Sequence, residues 1–147
     1  VVTTAGTTNV HVIQKMNEEK KMGMNVIIAN DHREAFLALE EKRAAAFLMD
    51  DVLLNGERTR AIRWGDWIVT GTPQAREAYG CILRKGDPHF KNLVDQALAT
   101  AMISGEAEKL YSKWFMSPIP PNGINLNFPM SDDMVNLFKS PNDRAFE

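Results

Sequence analysis

Three short apolar runs, separated by segments with helical periodicity, constrain the fold of this chain more than any other feature. The runs cover residues 1–4, 24–29 and 44–49. Between them, residues 10–22 and 33–42 place apolar side chains three and four positions apart, which predicts helices. Continuous apolar strands that alternate with helices are typical of a mostly parallel sheet covered on both faces. The sequence therefore predicts an α/β fold.

The chain continues with a further predicted helix over 52–60 and a fourth strand candidate over 67–70. Another strand candidate covers 78–83, after which the sequence becomes mainly helical. Asp87 followed by Pro88 is typical of a helix start. The remaining predicted elements are a helix reaching Met102, a helix over 106–115, a proline-rich connector over 117–129 and a last helix over 131–138.

Composition and charge exclude several classes of function. Seventeen basic and 19 acidic residues leave a net charge of −2, which gives no electrostatic reason to expect nucleic acid as a partner. No apolar run approaches the roughly 18 residues that a membrane span needs. Cys81 is the single cysteine, and the three histidines have no metal-ligand spacing, so neither a disulfide framework nor a metal site is predicted. The strand under way at Val1 is expected of a chain that starts inside a larger protein.

Polar residues follow the first apolar run, where ligands bind in open α/β sheets. Gly6, Thr7 and Thr8 lead into the first predicted helix, and free N–H groups at a helix start, beside hydroxyls, favour a carboxylate or a phosphate. The alternative is plain capping of the turn by Thr8 or Asn9.

The second and third runs also end in polar residues. Asp31 is a natural N-cap, and His32 after it could donate a hydrogen bond to a ligand carboxylate or simply face solvent. Asp50 ends the third run, where a carboxylate needs a cation such as a ligand ammonium, and Asp51 is expected to cap the next helix. The alternative is that both aspartates only cap. Together the three positions complement an amino acid with an acidic side chain.

The chain resembles the periplasmic amino-acid-binding proteins of ABC importers, and among them those for glutamate and aspartate. The resemblance extends over essentially the whole chain and depends on the order and spacing of several short stretches. These are VVTTAGTT at 1–8, DH at 31–32, AFLMDDVLL at 46–54 with GER at 56–58, EAYGCILRK at 77–85, SGEAEK at 104–109 and PIPP at 118–121.

The resemblance implies a type II periplasmic-binding fold with two lobes and a ligand between them. Residues 1–77 would form the second lobe, and residues 78–147 would carry the return crossing strand and helices that pack on a first lobe absent from this chain. Thr8, with Gly6 and Thr7, would bind the ligand's α-carboxylate, and Asp50 would bind its α-amino group. His32 would contact the ligand, as the histidine at this position does in the binders of acidic amino acids.

The implied function is that of a periplasmic substrate-binding component that captures glutamate or aspartate for a membrane permease, with no cofactor and no catalysis. Apolar helix faces without the first lobe also predict self-association, as a homodimer or by domain swapping. The alternative on the same fold is an extracytoplasmic amino-acid sensor domain of a membrane receptor. A dinucleotide-binding enzyme is disfavoured, because it needs Gly-x-Gly-x-x-Gly and only Gly6 is present. A catalytically lapsed homologue on the same fold, such as a cyclohexadienyl-dehydratase-like protein, would need an added acid/base residue, and the sequence offers no candidate.

Overall fold

The computed structural model describes residues 1–121 and 123–144 and divides the chain into an N-terminal unit, Val1–Ala75, and a C-terminal unit, Arg76–Glu147. Asn122, in the predicted connector, and residues 145–147, in the predicted second segment, lie outside the described residues.

A small parallel sheet organises the N-terminal unit. Strand β1 (Val2–Thr4) pairs in parallel with β2 (Ile27–Ala29), with Val2 opposite Ile27 and Thr4 opposite Ala29. The third predicted strand is reduced to one parallel bridge between Phe47 and Val2. The parallel topology is as predicted, whereas the strands over 24–29 and 44–49 are shorter than predicted.

Three helices accompany this sheet, namely α1 (Thr8–Glu19), α2 (His32–Glu40) and α3 (Asp51–Arg60). Each was predicted, although α1 begins two residues before the predicted start and ends three residues before the predicted end. Helix α2 buries Ala35, Phe36 and Ala38. Its two alanines join Val2 and Ala29 in the core, so small side chains allow the helix to lie close to the sheet.

The strand predicted over 67–70 does not form. The chain makes a single 3-10 turn at Trp64–Asp66 and continues without sheet pairing. The Trp67 ring packs edge-on against Phe36 with centroids 5.5 Å apart, and the Trp67 carbonyl accepts a 2.7 Å hydrogen bond from Arg58 Nε. A helix side chain therefore satisfies the backbone of this segment where the prediction required a neighbouring strand.

The strand predicted over 78–83 is also absent. These residues are extended without pairing, and the Ile82 side chain is 100% exposed. A strand exists only with a neighbour to bond, and the described residues of the C-terminal unit contain no strand that could pair with it. The apolar pattern indicates only that the segment can form a strand, whereas pairing depends on residues outside it.

The C-terminal unit consists mainly of the predicted helices, α4 (Pro88–Ile103), α5 (Glu106–Phe115) and α6 (Asp132–Lys139). The Asp87 carboxylate accepts from Phe90 N at 3.0 Å, and Ser131 caps α6 in the same way. Gly105 separates α4 from α5 with φ +79°, a conformation that glycine adopts without strain.

Helix α4 also holds the chain that follows α6. Lys91 Nζ donates to Asp143 at 2.8 Å, and this ammonium holds the pKa of the Asp143 carboxyl below its usual value. Few apolar side chains of this unit are buried, Tyr111 being one of them. The large apolar side chains that remain exposed on or beside α4 and α5 are Phe90, Leu93, Leu98, Ile103, Leu110, Trp114 and Met116.

A buried carboxylate on α3 yields a prediction about stability. Glu57 is buried, its Oε1 bonds Arg60 Nη1 at 3.0 Å, and its Oε2 has no hydrogen-bond partner among the described residues. We expect Arg60→Ala to lower the free energy of unfolding by about 1–2 kcal/mol, because it leaves a buried charge without its ion pair. Urea denaturation measures the change.

Arg63→Ala is the matched control. Its pair with Asp66, at 3.2 Å, is also spaced by three residues, but both side chains are exposed. That substitution should cost less than about 0.5 kcal/mol. Equal losses for the two variants would contradict the role of the buried Glu57.

The exposed apolar faces of α4 and α5 lead to a second prediction, that the 147-residue chain self-associates through them. Light scattering across a concentration range should show a mass above that of a monomer, and Leu93→Glu with Leu110→Glu should lower it. Ile62→Glu, at an apolar and still more exposed position of the N-terminal unit, serves as the control. A monomer at every concentration would refute the prediction.

Candidate functional site

The three sequence-predicted site segments lie at one edge of the N-terminal sheet. Residues 5–7 follow β1, residues 30–31 follow β2, and residues 48–50 follow the Phe47 bridge. Both pairings, β1 with β2 and Val2 with Phe47, are parallel, so the three segments leave the sheet at the same edge. The backbone thus brings the candidate residues to a common side of this unit.

The first segment presents the start of α1 together with two hydroxyls. Gly6 has φ +72°, which lets the chain turn from β1 into the helix. Thr7 occupies the N-cap position, but its hydroxyl donates to the Thr4 carbonyl at 2.7 Å and makes no side-chain cap. The capping alternative, with Thr8 or Asn9 as the cap, is therefore wrong. Thr8 is the exposed first residue of the helix.

An open depression of about 410 Å³ lies at this helix start. Gly6, Thr7 and Thr8 line it, together with Ala5, Val10, His11 and Ile28. Of the described residues, neither His32 nor Asp50 contributes to this lining. The structure therefore brings the three candidate groups to one edge without placing them in a single closed cavity.

A larger open groove of about 640 Å³ lies in the C-terminal unit along α5. Lys109, Trp114 and Pro118 are among its lining residues. The groove contains none of the sequence-predicted site residues.

The second segment is held by reciprocal capping. The Asp31 carboxylate accepts from Glu34 N at 2.8 Å, and Glu34 Oε2 accepts from both the backbone N and the side-chain Nδ2 of Asn30, each at 2.8 Å. This arrangement satisfies donors on both sides of the turn and fixes the start of α2. The predicted capping by Asp31 is confirmed, and His32 is the half-buried first residue of the helix.

The His32 ring is oriented by a residue that the sequence analysis missed. Thr4 Oγ1 and His32 Nδ1 are 2.8 Å apart, and Thr4 is 4% exposed at the end of β1. This contact engages Nδ1 and leaves Nε2 as the nitrogen for any further partner. A hydroxyl in a buried strand requires a hydrogen-bond partner, and that requirement was the available signal.

The third segment places Asp50 at the N-cap position of α3, half-buried and without a side-chain cap. Its Oδ1 accepts from Asn9 Nδ2 at 2.9 Å, which ties the α3 start to α1. The expectation that Asp51 caps α3 is wrong. Asp51 is already helical, and its Oδ1 accepts from the adjacent Val52 N at 2.8 Å. Asn9 is the second residue whose positioning role sequence reasoning missed.

Among residues 1–121 and 123–144 there is no group of three or more His, Cys, Asp or Glu side chains arranged to hold a metal ion. In the same ranges, no helix has the length and apolar character that crossing a membrane requires. Cys81 is a free, exposed thiol.

Comparison with known proteins identifies similar sequences. The chain is 56% identical over 147 residues to the L-glutamate/L-aspartate-binding protein of Pseudomonas aeruginosa, covering 100% of this chain and 49% of that protein. It is 54% identical over 145 residues to the glutamate/aspartate import solute-binding protein of Escherichia coli, covering 99% of this chain and 48% of that protein.

A more distant relative is the ABC transporter glutamine-binding protein of Bacillus subtilis, 27% identical over 96 residues, which cover 65% of this chain and 34% of that protein. The chain spans about half the length of the first two relatives. Residues 5–117 match the family described as bacterial extracellular solute-binding proteins, family 3.

These matches confirm the resemblance to amino-acid-binding proteins of importers and, with it, the predicted α/β class of the type II periplasmic-binding fold. The chain belongs to the bacterial extracellular solute-binding proteins of family 3.

Proposed function

We propose that the complete gene product carrying this chain is the periplasmic solute-binding component of an ABC importer, and that it binds glutamate or aspartate. The observation that carries the proposal is the connection between the α1 start and Asp50 at one sheet edge, through the 2.9 Å Asn9–Asp50 bond. An anion-binding helix start beside a carboxylate matches the two charged groups of an α-amino acid.

The ligand's α-carboxylate binds at the start of α1. The Thr7 hydroxyl is directed to the Thr4 carbonyl, so it does not compete for the first-turn N–H groups of the helix. Those groups and the exposed Thr8 hydroxyl are donors, and the helix dipole adds a partial positive charge there. The depression lined by Gly6, Thr7 and Thr8 gives a carboxylate room to approach.

Asp50 receives the α-ammonium. Asn9 donates to one carboxylate oxygen and thereby fixes the orientation of the group, while a carboxylate can accept several hydrogen bonds at once. A ligand cation also compensates the cost of keeping this half-buried charge at the end of an apolar segment.

His32 contacts the acidic side chain of the ligand through Nε2, since Nδ1 is engaged by Thr4. The names of the relatives support an acidic ligand. Two relatives at 54–56% identity are named for glutamate and aspartate, and the one named for glutamine is 27% identical. These names also favour the importer component over a receptor's sensor domain.

The remaining parts of the proposal concern the complete protein. Residues 1–77 form one wall of a two-lobed site, and residues 78–147 carry a segment that returns to the other lobe, with helices that pack on it. The protein delivers its ligand to a membrane permease and acts by binding and release, without catalysis or a cofactor. Family membership and the names of the relatives support these statements.

Calorimetric titration tests the ligand class. The complete gene product should bind L-glutamate or L-aspartate at least about tenfold more tightly than L-glutamine, a difference of about 1.4 kcal/mol. The 147-residue chain should bind the same ligand far more weakly, because half of the enclosing surface is absent. Failure of the complete protein to bind any amino acid would refute the proposed function.

The role of Asp50 has its own test. Asp50→Asn in the complete protein keeps the shape of the side chain but removes its charge, and it should weaken binding by at least about 2 kcal/mol, roughly thirtyfold. Asp51→Asn is the control, since that neighbouring carboxylate bonds only locally to Val52 N among the contacts described, and it should change affinity less than about threefold. Equal effects of the two substitutions would remove Asp50 from the site.

A further inference from the structure

We propose that Thr4 is a positioning residue, whose hydroxyl holds neutral His32 in the tautomer that carries its proton on Nε2 and so presents a donor to an acidic ligand. The inference depends on the proposed function, because it concerns the nitrogen that would contact the ligand. Thr4 itself does not touch the ligand and acts only through His32.

The geometry around Thr4 is fixed from several directions. The residue is almost completely buried, and its backbone pairs with Ala29 in the register of β1 and β2. Its carbonyl accepts from the Thr7 hydroxyl at 2.7 Å. Its Oγ1 lies 2.8 Å from His32 Nδ1, a contact that joins the end of β1 to the start of α2.

The chemistry of this partner determines what Nε2 can do. A carbonyl or carboxylate facing Nδ1 could only accept, so the neutral ring would carry its proton on Nδ1 and direct a lone pair from Nε2 toward an anion. A hydroxyl can donate or accept, but the described residues give the buried Thr4 Oγ1 no second acceptor for its proton, so donation to Nδ1 is the bond that satisfies it. When Thr4 donates to Nδ1, the neutral ring carries its proton on Nε2, which becomes a donor for a carboxylate. The partner of one ring nitrogen thus selects the function of the other.

The neighbouring threonine shows what a structural hydroxyl does in the same strand. Thr3 is fully buried, and its hydroxyl donates to the Leu48 carbonyl at 3.0 Å. It holds the segment before Asp50 to the sheet, and its described hydrogen bond does not involve His32. Thr3 and Thr4 are therefore matched in type, strand and burial, and they differ in the group that their hydroxyls bond.

The first measurement requires no ligand. Long-range ¹H–¹⁵N spectra of the histidine rings in the complete protein, with His32 assigned by His32→Gln, report the tautomer on the plateau where the ring is neutral. The wild-type protein should show His32 protonated on Nε2. Thr4→Val should shift both His32 ring nitrogens, Thr4→Ser should restore the wild-type pattern, and Thr3→Val should leave it unchanged.

Affinity for L-glutamate, or for L-aspartate if that ligand binds more tightly, is the second measurement. Thr4→Val should weaken binding about tenfold, the effect of about one hydrogen bond to an anionic group, with rescue by Thr4→Ser. Wild-type His32 protonated on Nδ1 would overturn the inference even if Thr4→Val failed to fold.

The two measurements separate this inference from the proposed function. If the protein binds an amino acid but Thr4→Val leaves the His32 ring spectra unchanged, the role of Thr4 is overturned and the binding function stands. Ring spectra that follow Thr4 in a protein that binds no amino acid would overturn the function and, with it, the positioning role.

Discussion

Complete burial of β1 is the constraint on which the N-terminal unit depends. Val2, Thr3 and Thr4 are each at most 4% exposed, so every polar group of this strand must find a partner inside the protein. The Val2 backbone bonds Ala46 and Leu48 on one side, and β2 pairs on the other. The Thr3 hydroxyl bonds the Leu48 carbonyl, and the Thr4 hydroxyl bonds the His32 ring. The strand that organises the fold thereby also determines where the candidate site residues stand.

Local signals predicted much of this arrangement. Helix starts follow from side chains that cap them, as at Asp31, Asp87 and Ser131, because a cap and the helix it starts are neighbours in sequence. The common edge of the site segments follows from parallel topology, which alternating strands and helices already imply. Asn9 and Thr4 could not be assigned their partners, because Asp50 and His32 are 41 and 28 positions away.

The two strands that fail, at 67–70 and 78–83, have a shared cause. An apolar run indicates that a segment can become a strand, but a strand requires backbone partners that the run does not encode. Arg58 and Phe36 hold Trp67 instead, and Ile82 stays fully exposed. A sheet of three residues per strand offers few positions for additional pairing. Strand prediction is thus limited by tertiary pairing, whereas helices satisfy their own backbone.

Charge balance explains why the N-terminal unit supplies only part of the proposed site. An acidic amino acid carries two carboxylates and one ammonium, and in the proposed site Asp50 would pair with the ammonium. The α1 start offers about half a positive charge and His32 one further donor. The five arginines of this unit already have partners other than a ligand. Four form ion pairs with Glu40, Glu41, Glu57 and Asp66, and Arg58 donates to the Trp67 carbonyl. Full compensation of a dicarboxylate in the proposed site would therefore need a cationic side chain that these arginines do not supply, which agrees with the proposed enclosure of the ligand between two lobes.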